Sequence, residues 1–332
     1  MLHSNGIIVI LSYPDTFVRP ATWEFSSRFW PYLGIGQKNA IQAGHAALLL
    51  IKKNETEINY FDFGRYITSY KNGRVRSKET DVELAIPISA NFKKGSLTNL
   101  KEILLWIEQH PEKTHGEGRL IASVNEAIDY QKAFDYIHQC ILQKEISYGA
   151  FNKNGSNCAR FVADTLRIST TQRKIKTALK AFKVITSSPI GNVIKGKTTS
   201  KIHEVYQGKY REYLNRSIFK EYKNCFFNKL NTEISTIGTE FPNKELFFPE
   251  RATWLGGIGS GAWFQIVKKE HQDTYKIARY SASGQKDFEG IFRFDEEGFD
   301  PTQEYQFVHP TNCLEAFVHQ KGKKFSLKKM VF

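Results

Sequence analysis

The chain is poor in sulfur, with four cysteines and two methionines in 332 residues. Cys140, Cys158, Cys225 and Cys313 stand far apart and form no C-x-x-C pair. That spacing argues against a zinc site and a dense disulfide framework, and it fits a reducing compartment. No stretch approaches the ~20 consecutive apolar residues that a membrane-spanning helix needs. The opening MLHSNGIIVILSYPDTF has no basic segment before its short apolar run and no small-residue cleavage site after it. It reads as a strand and not as an export signal, so cytoplasmic residence is expected, although export without a signal would leave no such trace. No RNP, helix-turn-helix or zinc-finger pattern occurs, and specific nucleic-acid binding is not expected. No repeat of 20 to 50 residues is visible.

What the chain does have is a core-forming composition, 41% hydrophobic and 14% aromatic, and a net charge of +13. The charge is localised. Residues 167–224 hold fourteen Lys or Arg against Glu204, Glu212 and Glu221, which leaves +11 in this one segment. Such a segment is either a solvated helical face or a contact for an anionic surface.

Apolar and alternating runs predict strands at GIIVILSY, HAALLLIKK, INYFDFGRYI and VELAIPIS. Helical spacing predicts a helix in SLTNLKEILLWIEQH and a second from about Val124 to Lys144, behind a capping box of Ser123 and Glu126. Further helices are expected from Ala159 to Arg167, from Thr171 to Val184 and from about Tyr206 to Lys229, with TSSPIGNVIKGKTTS as a loop between the last two. From about Ile234 onward, short strands separated by Gly, Asp and Pro turns predict a small β domain.

In GSNCARFVADTL, Cys158 stands at the head of a predicted helix behind Asn157, a favourable N-cap type. Free backbone N–H groups and the positive end of the helix dipole there favour a thiolate and can hold an oxyanion. Of the nine histidines the best-placed base candidate is His45, which opens the strand AGHAALLLI beside small residues that allow close approach. On the next strand Tyr60 and Asp62 share a face, and a carboxylate there would orient the imidazole as the third member of a triad. Asp62 is the expected orienter and Tyr60 the alternative. A buried packing thiol is the competing reading of Cys158, and a core residue is the reading of Cys140.

These residues carry a family resemblance over about residues 5–185. SYGAFNKNGSNCARFV resembles the Y-x-x-G... [DN]-C-x-x-[FL] motif of NlpC-type papain-like cysteine peptidases, with the glycine one place off the usual spacing. Because His45 precedes Cys158, the order resembles the circularly permuted branch that includes YiiX-like proteins and lecithin:retinol acyltransferase relatives. The resemblance implies Cys158 as nucleophile, His45 as general base, Asp62 as orienting group, and the Tyr148 hydroxyl with the Cys158 N–H as oxyanion donors. It also implies peptide, peptidoglycan-peptide or acyl-lipid substrates and no cofactor. The end of the chain resembles a small C-terminal domain of uncharacterised bacterial proteins.

Other motifs point to no second site. WLGGIGSGAWF is followed by strand-forming residues, so it reads as a glycine-rich turn and not a phosphate loop. HPEKTHGEGR lacks an H-E-x-x-H helix and reads as an exposed connection. His309 and Cys313 lie in a loop sequence that does not suggest a second catalytic pair.

The expected architecture is α+β. A permuted NlpC-like, papain-type domain occupies residues 1–185, with an antiparallel sheet packed by helices. A basic helical connector spans 186–233, and a small β-rich domain spans 234–332. The expected activity is that of a cysteine hydrolase or acyltransferase; the alternative is an inactive papain-like binding module whose basic surface meets an anionic partner.

Overall fold

The computed structural model describes residues 4–24, 30–37, 39–149, 152–183, 188–214, 217–229, 237–243, 251–271 and 273–331. Strands β1 (Gly6–Tyr13), β2 (His45–Lys52), β3 (Ile58–Gly64) and β4 (Asn72–Arg76) come first. A small hairpin of β5 (Phe92–Lys93) and β6 (Ser96–Leu97) leads into α1 (Leu100–Glu108) and the single turn α2 (Pro111–Thr114). Then follow β7 (Leu120–Ile128), α3 (Tyr130–Leu142), β8 (Ile146–Ser147), α4 (Cys158–Ser169), α5 (Arg173–Lys183) and α6 (Pro189–Gly196). The hairpin β9 (His203–Tyr206) and β10 (Lys209–Glu212) precedes α7 (Ile218–Phe226).

Eight of these strands form one antiparallel sheet in the order β10-β9-β7-β1-β2-β3-β4-β8. The central strands are continuous apolar runs because both faces are covered. Ile8, Ile10, Leu48 and Leu50 face a core shared with α3, α4 and α6. Ile7, Val9, Leu49 and Ile51 face the opposite core under α1. Helix α4 packs across β2 and β3, which brings its first residue over the strand ends that carry His45 and Asp62. The fold is the expected α+β type, with the histidine strand and the acidic strand preceding the cysteine helix in the chain.

A second sheet of seven antiparallel strands runs β11 (Thr253–Gly256), β12 (Gly261–His271), β13 (Thr274–Tyr280), β14 (Lys286–Phe294), β17 (Lys323–Lys329), β16 (Glu315–Gln320) and β15 (Gln306–Phe307). It curls so that β11 and β15 approach each other, around a core of Phe264, Phe292, Phe307 and Phe325. This is the expected β-rich C-terminal part. Ile67, from the loop after β3, joins that core. Ion pairs Arg279–Glu83 and Lys144–Glu315 tie the two sheets together, as does the bond from the Cys313 N–H to the Thr80 carbonyl at 3.0 Å.

Four local expectations give way. VELAIPIS is not a ladder strand: only a 3-10 turn forms, at Val82–Leu84, and the fourth sheet strand is Asn72–Arg76. The helix expected from Val124 begins only at Tyr130, capped by Asp129, because residues 120–128 complete the sheet beside β1. Of the expected loop, SPIGNVIKG is instead a capped helix: Ser188 accepts from the Gly191 N–H at 3.1 Å with Pro189 following, a helix start of the ordinary kind, while Thr186 and Ser187 lie outside the described residues. The basic connector is not all helical. Gln207 and Gly208 both have positive φ, 50° and 70°, and make the two-residue turn that joins β9 to β10 at the sheet edge.

Candidate active site

Cys158 is the first residue of α4. Asn157, in extended backbone geometry, caps it by accepting the Arg160 N–H on its side-chain oxygen at 2.8 Å. The first-turn N–H groups left over at a helix start are the donors that such a position offers an anion. The thiol is partly exposed, whereas Cys140, Cys225 and Cys313 are buried. Burial pushes those three thiols up, to about 11, 12 and 12.

His45 and Cys158 border the same hollow, close enough for the imidazole to feel the thiol. On its other side, His45 Nε2 lies 3.2 Å from Asp62 Oδ2. Burial alone would depress this imidazole, but its hydrogen bond to the Asp62 carboxylate, with the neighbouring Cys158, prevails and raises it to about 9. At neutral pH it is therefore an imidazolium.

Asp62 is wholly buried and accepts from five donors. Arg76 Nη2 reaches Oδ2 at 2.6 Å and Arg76 Nε reaches Oδ1 at 3.0 Å. The hydroxyls of Tyr66 and Tyr60 donate to Oδ2 at 3.0 and 3.1 Å, and His45 completes the set. Burial would raise the carboxyl, yet the Arg76 guanidinium and the His45 bond hold it far below the usual carboxylate range. Arg76 is itself fully buried, with its guanidinium 3.8 Å from the centre of the Tyr66 ring.

The expected residues Cys158, His45 and Asp62 thus come together in one cluster. Tyr60, the alternative orienter, instead hydrogen-bonds the carboxylate of Asp62. Tyr148 walls the cleft beside Cys158, its ring parallel to Phe63 and covered by Arg65. Burial raises its phenol to about 12, so it remains a hydroxyl donor at neutral pH. The cleft next to Cys158 has a volume of about 260 Å³ and is largely apolar, with Val18, Ile41, Pro189, Tyr222 and Phe226 in its walls. The glycine-rich segment is the β11–β12 turn, and His309 Nε2 donates to the Gly256 carbonyl at 3.0 Å.

Sequence reasoning missed Arg76, Tyr66, Arg65, Arg19 and His115. The alternation in NGRVR was a usable signal, since it puts Arg74 and Arg76 on one face of a strand next to the one bearing Asp62. His115 was read as part of an exposed connection but is half-buried beside Tyr66, and desolvation with the nearby Arg76 charge lowers it to about 3. Among the described residues no three His, Cys, Asp or Glu side chains are grouped to hold a metal.

A model of type VI secretion system effectors of the TseH-like kind matches residues 8–175, half of the chain. The chain belongs to this family. A model of the DUF6695 C-terminal domain matches residues 252–330. The crystal structure of the type VI secretion system effector TseH aligns at 17% identity with a TM-score of 0.41, covering 62% of this chain and 97% of that one. No curated protein matches. The TseH-like segment holds His45, Asp62, Tyr148 and Cys158, and ends inside α5. No helix among the described residues of this TseH-like protein is long and apolar enough to cross a membrane.

Proposed function

We propose that this protein is a secreted thiol hydrolase that cleaves amide bonds in peptides, with cell-wall peptides as the favoured substrates, through Cys158, His45 and Asp62. The observation that carries the reading is the grouping of Cys158 and His45 around one hollow, with His45 bonded to an ionised Asp62, beside an open cleft. Family membership supports an exported effector and not the cytoplasmic residence that the N-terminus alone suggested. We divide the chain into a catalytic part that includes α6 and the β9–β10 hairpin and a C-terminal part beginning near β11.

In the first half-reaction Cys158 Sγ attacks the carbonyl carbon, and the carbonyl electrons move to oxygen, where the Cys158 N–H and the Tyr148 hydroxyl donate. Nε2 of His45 is engaged by Asp62, which leaves Nδ1 to face the sulfur and pass its proton to the departing amine. A thioester remains. In the second half-reaction neutral His45 takes a proton from water as the water oxygen attacks, and the thiolate leaves. An amine or alcohol in place of water would give acyl transfer by the same route.

The test is hydrolysis of purified cell-wall peptides together with alkylation by iodoacetamide near neutral pH. Cys158→Ala is expected to abolish turnover, and His45→Ala to reduce it by about 10²–10⁴-fold. Cys158 should be labelled before the three buried cysteines. Equal labelling of all four only after denaturation, with no turnover, would replace this reading by that of a binding module.

A further inference from the structure

Cys158 borders two hollows. One is the apolar cleft; the other, about 90 Å³, has mixed walls in which Arg19, His45, Arg65, His115 and Tyr148 supply the polar groups. Arg65 is buried and lies flat over the Tyr148 ring, its Cζ 4.7 Å from the ring centre. Its guanidinium donates to one partner, the main-chain oxygen of Arg19. Arg19 in turn donates through Nη2 to Thr239 Oγ1, and its buried Nε has no partner among the described residues.

The other buried arginines of this domain are treated differently. Arg74 grips Asp81 with two bonds of 2.6 Å, and Arg76 grips Asp62. Among the described residues no carboxylate pairs with Arg65 or Arg19. A buried guanidinium without an anion is costly, and its planar fork matches a carboxylate in two-point contact. The asymmetry has a location, because the two unpaired forks border the hollow into which Cys158 opens.

We propose that Arg65 and Arg19 form a carboxylate-binding subsite, so that the preferred substrates are peptides with a free carboxylate close to the carbonyl that Cys158 attacks. The C-terminal domain builds the outer wall of this subsite. Gly238, Ile258 and Gly259 border the hollow, and the Ile258 N–H donates to the Arg65 carbonyl at 2.8 Å. At Gly257 the fit is so close that a Cβ would lie 2.3 Å from the Ile67 nitrogen and 2.6 Å from the Arg65 oxygen. The β11–β12 turn thus fixes the backbone of Arg65, and Thr239 fixes the head of Arg19.

This inference rests on Cys158 as a reactive nucleophile, and the test separates the two ideas. Alkylation of Cys158 is followed with iodoacetamide, which is neutral, and iodoacetate, which carries a carboxylate one carbon from the attacked atom. The rate ratio of iodoacetate to iodoacetamide is divided by the same ratio for 2-mercaptoethanol, which cancels the thiolate fraction and the intrinsic chemistry. The normalised ratio is expected to exceed about tenfold in the intact protein, to fall to about one in Arg65→Met, and to fall several-fold in Arg19→Gln, a change at a half-buried position. A ratio near one in the intact protein, with Cys158 still selectively labelled by iodoacetamide, overturns the subsite and leaves the nucleophile standing. Failure of both reagents to label Cys158 selectively overturns the nucleophile, and the subsite with it. Should Arg65→Met not fold, an unchanged ratio in Arg19→Gln overturns the proposal by itself.

Discussion

Replacing Arg76 by methionine tests whether the Asp62 network is a structural keystone of the first sheet. The side chain is fully buried and gives Asp62 two charge-assisted hydrogen bonds, at 2.6 and 3.0 Å. Bonds of that kind contribute about 1.5–3 kcal/mol each. Removing one partner of a buried ion pair costs about 3–5 kcal/mol, because the remaining charge is left uncompensated. Tyr60, Tyr66 and His45 still donate to Asp62 after the change, which favours the lower end of that range. Loss of the guanidinium face over Tyr66 adds up to about 2 kcal/mol. A destabilisation of about 4 kcal/mol is therefore expected in urea unfolding, read as a shift in midpoint with the slope unchanged. Adding Asp62→Leu removes the stranded carboxylate, so the double variant should be destabilised by clearly less than the sum of the two single changes. Arg76→Met within 1 kcal/mol of the unaltered protein, or additive single and double variants, would refute the reasoning.

Two other outcomes follow from the same geometry. His45 is raised to about 9, so the contribution of its charged contacts is complete below the ordinary histidine value and disappears as pH rises through about 9. The alkaline limb of kcat/KM should fall there, and Asp62→Asn, which removes the strongest contact that raises the imidazole, should move that limb to lower pH; a limb at the same pH in both proteins would contradict the assignment. Gly257→Val should force the β11–β12 turn away from Arg65 and Ile67, since the added carbon meets backbone at 2.3 Å. The expected result is faster proteolysis between the two sheets and a raised KM, and wild-type values of both would show that the C-terminal domain does not shape the cleft.

How much of this was readable in the sequence depended on whether a residue's role is local. The runs GIIVIL and HAALLLI announced buried strands because both of their faces are apolar, and that holds in any register. Cys158 behind Asn157 announced a helix start with a thiol on it, because capping is settled within four residues. Residues 120–128 failed this test. Ser123 and Glu126 imitate a capping box, but Ser123 Oγ donates to the Val193 carbonyl at 2.7 Å and Asn125 donates to the Gly196 carbonyl at 2.6 Å. These polar residues satisfy the end of a helix some seventy positions later, so a strand with a polar interior was spelled in letters that locally mean helix. Arg76 is the same problem in the site. An arginine reads as surface until its carboxylate partner is known, and that partner lies one strand away, where only the register Asp62 to Arg76 brings the charges together. The grouping of Cys158 with His45 was legible because cysteine and histidine are rare residue types and these two have distinctive neighbours. The electrostatic frame that keeps Asp62 ionised, and with it keeps His45 protonated, was not, since it is built from long-range pairs whose members look ordinary alone.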